Sequence, residues 1–320
     1  MWFILNTRLS VRYHRETMQN PQQQRWSGQI AGLTVAELDL AATLSSGQVF
    51  RWGRDGEGLW RGTVGERPVR LMQSTDYSTL WWEAAGSSAE EAGAAVRSFL
   101  RLDDADLAGL AQEWVQRDAL FARAWQQNPG VRLLRQDPDE CFFSFLCASV
   151  APIARISRML HAVAAEAGTA LPTGEIPFPT ASALANVSEQ RLRELGLGFR
   201  ARRVAAAAHC LTEFAESPLP LLRGAELAEI RRVLGAFTGV GNKIADCIAL
   251  FSLDRDDAIP VDTHIWRIAR THYLPDLSGK SLTAANYARV EAAFRDRFGP
   301  KAGWAQQILF YRAAVGKTTS

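Results

Sequence analysis

Two side chains have the types and spacing to do covalent chemistry together: Lys243 and, nineteen residues later, Asp262. The chain holds only four lysines (Lys243, Lys280, Lys301 and Lys317) against 32 arginines. A guanidinium stays protonated in proteins, whereas a desolvated amine can lose its proton and attack an electrophile. Cys247 follows Lys243 by four residues and shares its helix face. Asp262 stands just before Thr263-His264, where the next helix opens, so it suits an N-cap. In one cleft with the amine, its carboxylate would also offset a cation developing in a transition state. The plainer alternatives are a surface lysine on a phosphate and an aspartate that only caps.

The elements that must position this pair are legible around it. Leu227 to Phe237 has a helical pattern that ends by Gly239. Thr238-Gly239-Val240-Gly241-Asn242-Lys243 is a tight turn, and Ile244 to Leu253 is apolar almost all round, as in a buried helix. Two glycines permit positive φ and close approach of the backbone to a partner. The second helix opens with free N–H groups, which suit an anion such as a phosphate backbone. Residues 227–253 thus read as a helix-hairpin-helix. Asp254–Asp257 is a polar turn, and Ala258–Val261 is extended and leads into Asp262.

Gly239-Val240-Gly241-Asn242-Lys243 followed by Pro260-Val261-Asp262-Thr263-His264 resembles the helix-hairpin-helix DNA glycosylase superfamily. The ADCI and VDTHIW segments resemble its 8-oxoguanine DNA glycosylase branch. Further similar segments are Ser45–Trp52, Val131–Pro138, Glu140–Ser149, Leu195–Arg202 and Trp304–Phe310. The resemblance implies that Lys243 attacks the sugar C1′ and that Asp262 assists. It implies base contacts for Gly47, Cys247, Pro260, Gln306 and Phe310, with the Gly47 carbonyl accepting a hydrogen that 8-oxoguanine has and guanine lacks. It implies DNA contacts for Gly239, Val240, Gly241 and His264, and cytosine-reading positions for Arg155 and Arg200. One departure is informative. Val150-Ala151-Pro152 stands where that branch carries asparagines, so Val150 fills space but offers no side-chain hydrogen bond. Weaker selectivity for cytosine opposite the lesion is expected.

The remainder of the chain supplies a scaffold of the α+β class. An N-terminal antiparallel sheet domain with helices is expected over 29–130, with Asp55-Gly56 as a hairpin between Gln48–Trp52 and Leu59–Val64. Ser87 and Glu90 suggest a capped helix start. A mainly helical region is expected over 131–320, and residues 1–28 read as a loose tail. At 47% hydrophobic residues the chain can bury a full core, and its net charge of +2 is only mildly basic. Arg200-Ala201-Arg202-Arg203 is the denser positive cluster.

Cys141, Cys147, Cys210 and Cys247 have neither zinc-ligand nor CxxC spacing. The superfamily's iron–sulfur members carry four clustered cysteines near the C-terminus, a pattern absent after Cys247. No metal or cofactor is required for the implied chemistry, although hairpin carbonyls could hold a structural alkali cation. No apolar run reaches a membrane span. The expected partner is double-stranded DNA containing oxidised guanine, met by a monomer inside the cell, wherever the DNA is. The implied activity is a glycosylase that flips the base, forms a lysine imine and then cuts the strand by β-elimination. Alternatives are a monofunctional glycosylase for alkylated bases and a non-catalytic binder of damaged DNA.

Overall fold

The computed structural model describes residues 24–172 and 174–315. Five strands, β1 (Arg25–Ala31), β2 (Gly53–Arg54), β3 (Trp60–Val64), β4 (Arg67–Gln73) and β5 (Thr79–Ala85), form one antiparallel sheet in the order β1-β5-β4-β3-β2. The helices that follow or interrupt them are α1 (Leu40–Leu44), α2 (Ala89–Phe99), α3 (Leu107–Arg117), α4 (Ala119–Gln127), α5 (Pro138–Cys147), α6 (Ile153–Ala167) and α7 (Ala181–Ala185). Then come α8 (Glu189–Leu192), α9 (Arg200–Leu211), α10 (Leu227–Leu234), α11 (Asn242–Ser252), α12 (Thr263–Ile268), α13 (Ala284–Phe298) and α14 (Ala302–Ala314). The α+β class expected from the sequence is the class observed. No helix of the described residues is long and apolar enough to cross a membrane.

The sheet buries one face under α2. Leu71, Leu80 and Trp82 meet Val96 and Phe99 there, while Trp81, on the opposite pleat, is 41% exposed. Ser88 caps α2 through the Glu91 N–H, and Glu91 accepts in return from Ser87 N–H. This is the expected reciprocal cap, one residue further on.

Three expectations are corrected. Residues 25–28, assigned to the tail, form β1 and pair with Trp82–Ala85; residues 1–23 lie outside the described chain. Gln48–Trp52 is not a strand, because Gln48 is buried and its side-chain amide bonds the carbonyl of Arg132 and the N–H of Leu134. The side chain, rather than a ladder, ties this segment to the chain beside it. The Asp55-Gly56 hairpin does form, between β2 and β3. Finally, the hydrophobic core does not divide near residue 130. Leu107, Trp114 and Phe121 of α3 and α4 belong to the helical core, whereas Leu134 joins the sheet.

Within the helical core, α5 and α11 are buried nearly all round. Phe145 of α5 stacks on Phe251 of α11, ring centroids 5.6 Å apart. Such helices have no solvent face to settle on, so packing from every side fixes their rotation. The helix that carries Lys243 is therefore a rigid support.

Candidate active site

The hairpin joins α10 to α11. Helix α10 stops at Leu234, with Gly235 as its cap, three residues before the predicted end. Only Gly239 adopts positive φ, at +91°. A Cβ there would lie 2.5 Å from Cδ of Arg203, so the arginine of α9 rests directly on the turn. Gly241 is extended instead, with open space around it, so one of the two glycines uses the positive φ that both permit. The side chain of Val240 is buried, leaving its backbone as the part able to meet a partner. Helix α11 opens with no side-chain cap, so its first N–H groups keep the anion-binding capacity of a helix start.

Lys243 sits half-buried at that start, its Nζ 5.5 Å from the ring centroid of Phe145. One turn on, burial pushes the Cys247 thiol up to about 11, while the Lys243 charge lowers it and the Asp262 charge raises it. The Asp246 carboxylate, next to Cys247 on α11, raises it as well.

Asp262 caps α12, its Oδ1 accepting the Ile265 N–H at 2.8 Å. Among the described hydrogen bonds none engages Oδ2. The cap therefore occupies one oxygen of the carboxylate and leaves the other for a further partner. Pro260, two residues earlier, is buried, and its carbonyl accepts the Asp262 N–H at 3.2 Å. His264, in the first turn of α12, meets Phe310 of α14 edge-on, ring centroids 5.8 Å apart at 89°.

Phe310 also lines the Gly47 turn. Gly47 has φ +79°, and a Cβ there would stand 3.2 Å from Ile153 Cδ1 and 3.7 Å from Phe310 Cε1. Gln306, one helical turn before Phe310, is 2% exposed, and its Oε1 is buried without a hydrogen-bond partner. An orphaned buried acceptor costs about 1–3 kcal/mol, and a ligand N–H would recover that cost. The structure therefore puts Lys243 and Cys247 one turn apart on α11, sets Asp262 at the cap of α12, and gathers Phe310 and Gly47 beside His264 in the first turn of α12.

A second region lies at the α5–α6 junction. Val150 is 95% exposed and has φ +51°, a left-handed conformation uncommon for a β-branched residue. Arg200, one of the two implied cytosine-reading positions, lies at this junction. That residue is 2% exposed, and its guanidinium donates to the carbonyls of Ser149 and Val150. The reason is tertiary: α9 starts beneath this junction, so the arginine props it from below. Arg155 is exposed in the first turn of α6 and contributes positive charge near Arg200. Phe199, half exposed, lies against both Arg200 and Arg203, at 4.3 and 5.3 Å from guanidinium to ring centroid.

Sequence reasoning missed Phe145, Ile153 and Phe199 as neighbours of these groups. It also missed Tyr287, whose hydroxyl accepts the Val261 N–H just ahead of Asp262. None of them carries a local signature, because each acts through a contact distant in sequence. Among the described residues, no group of three or more His, Cys, Asp or Glu is placed to hold a metal ion.

A family model for the N-terminal domain of 8-oxoguanine DNA glycosylases matches residues 30–142, and one for HhH-GPD superfamily base excision DNA repair proteins matches residues 144–291. The chain is 39% identical over 288 residues to the N-glycosylase/DNA lyase OGG1 of Arabidopsis thaliana, spanning 87% of this chain and 78% of that one. The chain belongs to this N-glycosylase/DNA lyase family. The N-glycosylase/DNA lyase of Saccharomyces cerevisiae is 30% identical over 328 residues, covering 90% of this chain and 86% of the relative. A solved structure of the Clostridium acetobutylicum 8-oxoguanine glycosylase/lyase, bound to double-stranded DNA with cytosine opposite 8-oxoguanine, superposes with TM-score 0.77. It is 25% identical and covers 96% of this chain and 98% of its own. Membership makes the chain a DNA glycosylase of the base-excision type, with the hairpin as the superfamily's shared element.

Proposed function

We propose that this glycosylase removes 8-oxoguanine from duplex DNA and then cuts the strand, with Lys243 as nucleophile and Asp262 as its electrostatic partner. The observation that supports the assignment is geometric: Lys243 stands at the uncapped start of α11, Asp262 caps α12, and the Tyr287 hydroxyl bonds both Asp246 of α11 and the Val261 N–H just before Asp262. The nucleophile and the carboxylate are thereby tied to each other through one buried hydrogen-bond chain. The orphaned Gln306 oxygen, the Phe310 ring and the Gly47 turn supply an acceptor, a flat apolar face and a close backbone approach for an extruded base.

In this reading the free amine of Lys243 attacks C1′. The bond from C1′ to the base nitrogen breaks, and the base leaves with the electron pair. The Asp262 carboxylate offsets the positive charge that builds on the sugar as this bond opens. Loss of a proton from the new C–N linkage and opening of the sugar give an imine. Removal of a C2′ proton then expels the 3′ phosphate, which is β-elimination. The amine, the carboxylate and the substrate supply the groups that bond and leave, and water takes up and returns the protons.

The approach of DNA is supported by charge. Among the described residues, Arg155, Arg158, Arg200, Arg202 and Arg203 take part in no ion pair, whereas Arg191, Arg193, Arg231 and Arg232 each have a carboxylate partner. Cations left without carboxylates on α6 and α9 suit a phosphate backbone. Arg203 lies against Gly239 at the hairpin turn, so that turn and α9 form one positive surface. The partner is double-stranded DNA, met by a monomer inside the cell.

A monofunctional glycosylase for alkylated bases would manage with the carboxylate and a water, leaving Lys243 without a task. A non-catalytic binder would need neither group. Borohydride trapping on duplex DNA with one 8-oxoguanine opposite cytosine tests the assignment. Wild type is expected to give a covalent adduct and Lys243→Gln none, with lesion binding retained. Strand cleavage by Lys243→Gln at the wild-type rate, or neither adduct nor base release from wild type, would overturn it.

A further inference from the structure

Lys243 and Asp262 come from separate helices, so the chain needs something to set their separation. The Asp246 side chain is one turn along α11 from Lys243 and wholly buried. It accepts from Arg231 of α10 at 2.7 and 2.8 Å, in a bidentate pair. It also accepts from the Tyr287 hydroxyl at 2.5 Å. The same hydroxyl accepts the N–H of Val261, 3.1 Å away and immediately before Asp262. Burial, with the carboxylate beside it, pushes the Tyr287 pKa up, so the hydroxyl keeps the proton it donates.

The outer half of this cluster ties in two more segments. Arg231 reaches Glu291 at 2.5 Å and Arg295 reaches Glu291 at 2.7 Å, both within α13's surroundings. Arg295 also donates to the Asp257 carbonyl at 3.0 Å. Of these groups, Tyr287 alone bonds both the lysine helix and the backbone that delivers the carboxylate.

We infer that Tyr287 is a positioning residue for the reaction, a hydroxyl clamp that sets the distance between Lys243 on α11 and Asp262 at the start of α12. It touches neither substrate nor the reacting atoms. It accepts from the extended segment that leads into Asp262 and donates to the helix that carries Lys243, so its loss lets the two drift apart. A displacement near 1 Å in a catalytic pair costs on the order of 100-fold in rate. The inference rests on the roles assigned above to Lys243 and Asp262.

The test is Tyr287→Phe in the full chain, which keeps the buried ring and removes the bonds to Asp246 and Val261 together with the hydroxyl's longer bond to the Ile259 carbonyl, at 3.3 Å. Single-turnover release of 8-oxoguanine is expected to fall by roughly 10- to 100-fold. Affinity for duplex DNA holding an uncleavable abasic-site analogue is expected to stay within about twofold, because no DNA-facing group changes. Glu291→Gln is the control. It loosens the outer cluster, leaves both Tyr287 bonds in place, and is expected to keep the rate within about threefold of wild type. Asp246→Asn is the second variant. It retains an oxygen for the Tyr287 proton but weakens the anchor through Arg231, so an intermediate loss of about 3- to 10-fold is expected.

Whichever of Tyr287→Phe and Asp246→Asn accumulates as folded protein carries the test. A wild-type rate in a folded Tyr287→Phe or Asp246→Asn variant overturns the inference. So does a rate that falls in step with DNA affinity, or an equal loss in Glu291→Gln. Failure of wild type to release the base would instead strike the functional assignment, which separates the two ideas.

Discussion

Gln307 on α14 donates its side-chain amide to the carbonyl of Ser46, 3.0 Å away across 261 residues of sequence. That single bond holds the Gly47 turn against Phe310, one turn further along the same helix. The proposed base pocket would take one wall from an N-terminal loop and another from the C-terminal helix, and its width would depend on their contact.

Gly47→Ala tests that width. At φ +79° a Cβ carries the left-handed penalty of roughly 1–2 kcal/mol, and it would press on Ile153 at 3.2 Å. Thermal unfolding should shift down by a few degrees. Preference for 8-oxoguanine over guanine should narrow at the same time. An unshifted preference in a folded variant would remove Gly47 from base selection.

Gln306→Leu separates stability from function. The wild-type Oε1 is buried without a partner, so an apolar replacement of similar size should leave the free protein as stable or more stable, by about 1–2 kcal/mol. Lesion affinity should weaken by at least tenfold. A destabilised variant that binds lesion DNA normally would mean the amide serves packing instead.

Asp262→Asn separates the cap from the chemistry. Asparagine caps a helix about as well as aspartate, so stability should change by less than about 0.5 kcal/mol. Single-turnover base release should fall much further than DNA binding. A large binding loss with an unchanged rate would argue that Asp262 only caps.

Thiol labelling reports the state of Cys247. Burial pushes its thiol up to about 11 and that of Cys147 to about 12, and Cys141 is likewise raised by burial. The thiolate is the reactive form. Native protein at pH 8 should therefore react quickly at exposed Cys210 alone, and all four cysteines should react after denaturation. Rapid native labelling of Cys247 would show that the site opens to solvent.

Val150 bears on the opposite base. Its side chain is 95% exposed and cannot hydrogen-bond, so excision opposite cytosine and opposite adenine should differ by well under 100-fold. Val150→Asn should widen the difference. A hundred-fold loss opposite adenine in wild type would contradict this role.

Much of the chemistry was legible before any fold was known, because it rests on residue type and short spacing. Lys243 in a chain rich in arginine, the glycine turn before it and the capping aspartate after an extended Ile-Pro-Val are local statements, and local dihedral preferences and hydrogen-bond geometry express them directly. The α+β class followed from period-2 and period-3.6 patterns for the same reason. Tertiary structure decided what depends on contacts far apart in sequence. It buried Arg200 beneath the Ser149–Val150 junction, left Val150 strained and exposed, paired Gly47 with Phe310, and placed the Tyr287 hydroxyl between Asp246 and Val261. None of these leaves a local pattern, since packing selects the partner from the whole chain. The sequence named the candidate groups; the packing of α11, α12 and α14 determined how they stand to one another.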